Sequence, residues 1–364
     1  MTLLERLGLD IPLVQAPMAG TGTPLLAAEV SNAGALGSIA VGATDVAGAR
    51  AMIADFRARS ARAFNVNLFV HAAPVADAGR EAGWIDALRP LFAEFDAEPP
   101  AALRPVYASF ADDAAMLALL VEQAPPVVSF HFGLPPSEAI RALRERGVLL
   151  LATATSIDEA RAIAAAGIDG IVAQGIEAGG HRGMFDPAAP DDGLGTMALT
   201  RLLAGKGPLP VIAAGGIMDG AGIAAALDLG AVAAQLGTAF VGCPESAADE
   251  AYRAALAGPG AWHTTLTPLI SGRPARALAN RFTALAAQLG DRQVPDYPVA
   301  YDAGKALNAA AKARGEHGFG AQWAGQGAPL ARALPAARLV EVLRAELQAA
   351  RPSSLARPGT AGDS

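Results

Sequence analysis

The sequence predicts an α/β protein: a (β/α)8 TIM barrel carrying a smaller inserted helical domain. Eight short apolar runs recur up to residue 240, with helical material between most of them, and after the eighth the rhythm stops. Composition agrees. Of 364 residues, 52% are hydrophobic, only 17% are charged and 40 are glycine, which suits a large parallel core covered on both faces.

The strands are expected, in order, at "PLVQAPM" (12–18), "ALGSIAV" (35–41), "FNVNLFV" (64–70), "VVSFHF" (127–132), "VLLLATA" (148–154), "GIVAQG" (170–175), "PVIAAGG" (210–216) and "AVAAQLGTAF" (231–240). Helices are expected at "TPLLAAEVSNAG", "PSEAIRALRERG" and "SIDEARAIAAAG", the last with Ser156 as N-cap and Gly167 as its stop. A further apolar run, "PVYASF" (105–110), sits in an overlong crossover after the third strand and reads as an elaborated connection, not a barrel strand. From "CPESAADEAYRAALAG" to about Gly318 the pattern is helices and loops without strand signals. Following a strand's C-terminal end, it belongs over the barrel mouth. The expected division is therefore barrel at 1–243 and 319–350, helical substrate or lid domain at 244–318, closing helix at 335–350 and mobile tail at 351–364.

A net charge of −7 leaves no basic footprint for nucleic acid. The apolar runs are too short and broken to span a bilayer, and the N-terminus lacks a leader pattern. The lone Cys243 excludes an internal disulfide. A cytoplasmic enzyme, monomeric or homodimeric, is the expectation.

The candidate chemistry lies at the strand ends. His131, in "VVSFHFG", stands between two phenylalanines of an apolar strand, where a core histidine and a catalytic one look alike. Gly215 and Gly216 in "AAGGIMDG", with Gly237 and Thr238 in "QLGTAF", free backbone N–H groups after the seventh and eighth strands, as a phosphate site requires. The plain alternative is that these glycines only turn the chain. "AQGIEAGGHRG" brings Gly179 and Gly180, then His181, and Gln174 and Asn67 offer amides at strand ends, with Met18 as an apolar wall. Amides, wall and anion clamp together suit FMN better than a sugar phosphate. A G-x-G-x-x-G dinucleotide fingerprint is missing.

Taken together, "PLVQAPMAG", "SNAGALGSIA", "FNVNLF", "VSFHFG", "AQGIEAGGHRG", "AAGGIMDG", "QLGTAF" and "WAGQGAP" resemble the nitronate monooxygenases over about residues 10 to 345. "SFHFG" with "DYPVAY" and Lys305 is similar to their class I branch. The resemblance implies an FMN-dependent enzyme that oxidises alkyl nitronates with O2. Propionate 3-nitronate is the implied substrate, and detoxification the role. It implies FMN contacts at Met18, Asn67, Gln174, Gly179, Gly180, Gly215, Gly216, Gln235, Gly237 and Thr238. It makes His131 and His181 the active-site histidines, and Tyr107, Tyr252, Tyr297, Tyr301 and Lys305 the lining of the substrate pocket, with no metal. The rival readings are an NAD(P)H-dependent flavin reductase on the same scaffold and a non-catalytic flavin-binding protein.

Overall fold

Leu149 and Leu151 belong to one buried cluster and Leu150 to another, the period of two that a strand imposes. The computed structural model describes residues 3–289 and 293–351. The inner cluster joins Val14, Leu36, Val127, Leu149, Leu151, Val172, Ile212 and Ala233 from strands around a ring. The outer ones pack the alternate residues, such as Val128, Leu150 and Ile171, against helices. The strands are β1 (Leu13–Gln15), β2 (Gly37–Ala40), β3 (Phe64–Phe69), β4 (Val127–His131), β5 (Leu149–Ala154), β6 (Gly170–Gln174), β7 (Gly180–His181), β8 (Val211–Ala214) and β9 (Ala233–Leu236). All but β7 form one parallel sheet in the order β1-β9-β8-β6-β5-β4-β3-β2. A parallel bridge from Val14 to Leu36 closes it into a barrel.

The local signals act as expected. Ser156 and Glu159 form a reciprocal capping box on the helix Ile157–Ala165, and Gly167 follows it at φ +78°. "PVYASF" forms no strand. The closing helix runs Ala336–Ala350, and of the expected tail, residues 352–364 lie outside the described residues.

Two expectations need correction. "AVAAQLGTAF" is not one strand: β9 ends at Leu236, and Thr238–Val241 is a helical turn. The stretch 244–318 also contains strands, β10 (Thr264–Thr267) and β11 (Ala275–Leu278). They pair antiparallel, and β11 pairs in turn with the two-residue β7. Ala275–Leu278 looks helical in composition, but it pairs along its whole length with Thr264–Thr267, and Asn280 caps a separate helix at Arg281–Ala284.

The overlong crossover also has a packing purpose. Its helix, Ala78–Ala93, presents Trp84, Leu88 and Phe92 to Leu269, Ile270, Phe282, Leu307 and Phe319 in a core separate from the barrel's. Phe92 is 1% exposed. Phe92→Ala is expected to cost about 3–5 kcal/mol in denaturant unfolding. A loss below about 1 kcal/mol would mean that the helix merely decorates the surface.

Candidate functional site

Each strand end delivers its side chain to the C-terminal mouth of the barrel, and a cavity of about 400 Å³ opens there. All seventeen candidate residues line it. Their environments divide them by what each can do.

His131 is the last residue of β4. Its Nε2 lies 3.1 Å from the His181 carbonyl oxygen and its Nδ1 3.0 Å from Thr153 Oγ1. A carbonyl only accepts, so Nε2 carries the proton and Nδ1 accepts from the Thr153 hydroxyl. Both nitrogens of His131 are therefore engaged within the protein.

His181 differs. Its Nε2 lies 2.8 Å from Ser271 Oγ, and that hydroxyl donates to the Arg273 carbonyl at 3.2 Å. Ser271 has a single proton, so His181 Nε2–H donates to it. The Nδ1 lone pair then has no hydrogen-bond partner among the described residues. Burial pushes His131 down to about 4 and His181 down to about 3, so both rings are neutral at pH 7.

Three contacts fix the His181 backbone. Gln174 Nε2 donates to its carbonyl at 2.9 Å, beside the His131 bond, and β11 pairs with it. Gln174 Oε1 accepts from Gly183 N at 2.8 Å. Gln174 thus uses its amide to hold the loop that carries His181. Gly179 also has a packing task, because a Cβ there would stand 2.5 Å from Gly325 N. Its neighbour Gly180 has φ +76°, a conformation that favours glycine.

Other polar groups are free for a ligand. The N–H groups of Gly215, Gly216 and Gly237 donate to nothing among the described residues. Gly215 and Gly216 turn through φ +126° and +68°, which aims successive amides to one side. The Gln235 side chain and Asn67 Oδ1 likewise lack partners among the described residues, while Asn67 Nδ2 is held by Ser129 Oγ at 2.9 Å. Thr238 Oγ1 accepts from Gly325 N at 2.9 Å and keeps its own proton to donate. Met18 contributes the apolar wall.

The four tyrosines line the same cavity. Tyr297 stacks edge-on against His181 at 5.4 Å, and Tyr301 against Tyr107 at 5.8 Å. Tyr252 donates its hydroxyl to the Trp323 carbonyl. Burial raises all four phenols, Tyr107 to about 12, so none ionises near neutrality. Lys305 Nζ sits 4.5 Å over the Tyr107 ring and 5.1 Å over Tyr301, in no ion pair among the described residues. Sequence reasoning missed Trp323, which packs 5.0 Å from the His181 ring, and Thr153 and Ser271, which set the tautomers. Trp323 opens the conspicuous "WAGQGAP" and was within reach. Nothing marks a lone threonine or serine before the fold exists.

Free glycine amides and a neutral, acceptor-competent imidazole thus share the mouth of a (β/α)8 barrel. The family model described as nitronate monooxygenase matches residues 2–346. A nitronate monooxygenase of Paraburkholderia phytofirmans is 60% identical over 95% of this chain and 94% of its own. One from Pseudomonas aeruginosa is 57% identical over 94% and 97%. Among solved structures, a nitroalkane oxidase from Streptomyces ansochromogenes superposes with TM-score 0.88 at 42% identity, covering 96% of this chain and 99% of that one. FabK from Thermotoga maritima superposes at 0.73 with 28% identity, covering 95% and 96%. The chain belongs to the nitronate monooxygenase family.

Proposed function

We propose that the protein is an FMN-dependent nitronate monooxygenase that oxidises alkyl nitronates, propionate 3-nitronate among them, with O2. The observation that carries this reading is one cavity lined both by the unpartnered N–H groups of Gly215, Gly216 and Gly237 and by Lys305, a cation in no ion pair among the described residues. The residues present fit FMN. The orphan N–H groups of Gly215, Gly216 and Gly237 suit its phosphate, Gln235 and Asn67 its polar ring edge, and Met18 its apolar face. When bound, FMN supplies the electron acceptor, with O2 as terminal oxidant, for conversion of a nitronate to a carbonyl compound with release of nitrite or nitrate.

The chain's own groups then have separable tasks. His181 Nδ1 is a base for the acidic carbon of a neutral nitroalkane, whereas a nitronate has already lost that proton. His131 acts through its bond to the His181 carbonyl, keeping the loop in register. The tyrosine cage and Trp323 exclude water, and Lys305 meets a substrate carboxylate.

The protein is expected to purify yellow, and the cofactor released by heat is expected to run as FMN on chromatography. A colourless protein that takes up no added FMN would sink this reading. The flavin-reductase alternative is tested by anaerobic mixing with NADH. A reductase bleaches its flavin at once, while a nitronate oxidase hardly responds.

A further inference from the structure

Arg273 is 3% exposed, and among the described residues no carboxylate pairs with it. Its guanidinium donates to the carbonyls of Met184 and Phe185, and its Nε has no partner. The contrast is Arg182, 1% exposed and held by Asp191 through bonds of 2.8 and 2.9 Å. A buried cation without a counter-ion is costly to folding, so its persistence points to a use for its field.

The surroundings identify that use. The Arg273 guanidinium carbon lies 4.2 Å over the Phe132 ring. Phe132 in turn touches His131 at 4.5 Å, Tyr297 at 5.3 Å and His181 at 5.6 Å between centroids. Phe132 has φ +79°, a conformation a bulky side chain rarely adopts, which turns its ring into this position. One aromatic ring thus separates a fixed positive charge from both active-site histidines. Burial is the first cause that lowers both histidines, and the Arg273 charge adds to it. Arg182 acts the same way on His131. Glu159 and Asp186 act on Arg273 only through space, and burial lowers Arg273 to about 10, still charged at neutrality.

We propose that Arg273 is the fixed positive charge of the active site, a positioning residue that acts across Phe132, adding to burial in disfavouring protonation of His131 and His181 and favouring anionic over neutral ligands. It rests on the nitronate reading only for the choice of substrate. A unit charge roughly 10 Å away at an effective dielectric near 20 changes an equilibrium by about tenfold.

The test uses the holoenzyme, Arg273→Gln, which removes the charge, and Arg273→Lys, which keeps it. In the parent, the ring resonances of His131 and His181, assigned by single substitution, are expected not to titrate above about pH 5. In Arg273→Gln their proton affinity rises about tenfold, and in Arg273→Lys it stays near the parent's. Ethyl nitronate and nitroethane share one carbon skeleton and differ in charge. Arg273→Gln should raise KM for the nitronate about tenfold while moving nitroethane, measured as substrate or as inhibitor, less than about twofold. Calorimetric binding of nitrite should weaken by the same factor as the nitronate. Equal losses on the charged and neutral ligands would overturn the proposal. So would a parent His131 or His181 with the ordinary midpoint near 6.5, a result that needs no variant to fold. If ethyl nitronate is not oxidised at all, the functional reading fails, while the histidine and nitrite measurements still decide the role of Arg273.

Discussion

His181→Asn is expected to lower turnover of a neutral nitroalkane by about 10²–10⁴-fold, the usual contribution of a positioned proton-transfer group. The same variant should oxidise the matching nitronate with a far smaller loss, because that substrate arrives without the proton. The warrant is the tautomer. Ser271 donates to the Arg273 carbonyl and so accepts from the His181 Nε2–H, leaving Nδ1 as the open acceptor. The pH dependence has a definite sign. Burial holds His181 at about 3, so the base is available above that value and is lost only as pH falls through it. Nitroalkane turnover should therefore show no acid limb near the ordinary histidine value of about 6.5. His131→Asn is the comparison. Should it abolish nitroalkane turnover while His181→Asn spares it, the two roles are reversed. A parent enzyme that uses nitronates but no nitroalkane would remove the base role altogether.

Lys305→Met should raise the apparent KM for propionate 3-nitronate by about 10- to 100-fold, matching a charge-assisted hydrogen bond of about 1.5–3 kcal/mol. Alkyl nitronates without a carboxylate should be nearly unaffected. Lys305 lies on the helix Val299–Ala313, one turn after Tyr301, and its ammonium is held over two phenol rings without an ion pair among the described residues. Burial lowers the ammonium's pKa, as expected for a cation waiting for its counter-ion. Cation–π contact keeps it pointed at the cavity, yet that contact is weak enough to yield to a carboxylate. An equal loss on both substrate types would refute the carboxylate role.

The barrel was legible because its strands are continuous apolar runs whose identity does not depend on a partner. β4 and β5 lie within the runs expected for them. The candidate residues were legible because strand ends of a closed barrel converge, whatever the loops do. β7, β10 and β11 were not, since short loop segments far apart in sequence become strands only by pairing, β10 with β11 and β11 with β7. For the same reason Gln174 and Gly179 could be placed at the site, as implied FMN contacts, but their work on the neighbouring loop could not be foreseen. Each serves the loop at 175–183, and neither its partners nor its packing can be read from local pattern. Arg273 was the least visible. In "SGRPAR" it reads as a surface arginine, and only the fold reveals that no acid among the described residues pairs with it.

The three-stranded sheet has a consequence for how such enzymes can be recombined. β11 pairs with the backbone of His181, and the insertion's core of Leu269, Ile270, Phe282 and Leu307 is completed by Trp84, Leu88 and Phe92. Substrate preference therefore does not travel as one cassette. A graft of 244–318 alone from a relative would arrive with its sheet edge facing a foreign loop and its apolar floor facing a foreign helix. The transplantable piece is discontinuous: the crossover helix, the loop bearing His181 and the insertion must be exchanged together. Chimeras cut at the apparent domain boundary should fold poorly, whereas three-segment exchanges should carry the donor's selectivity onto this barrel.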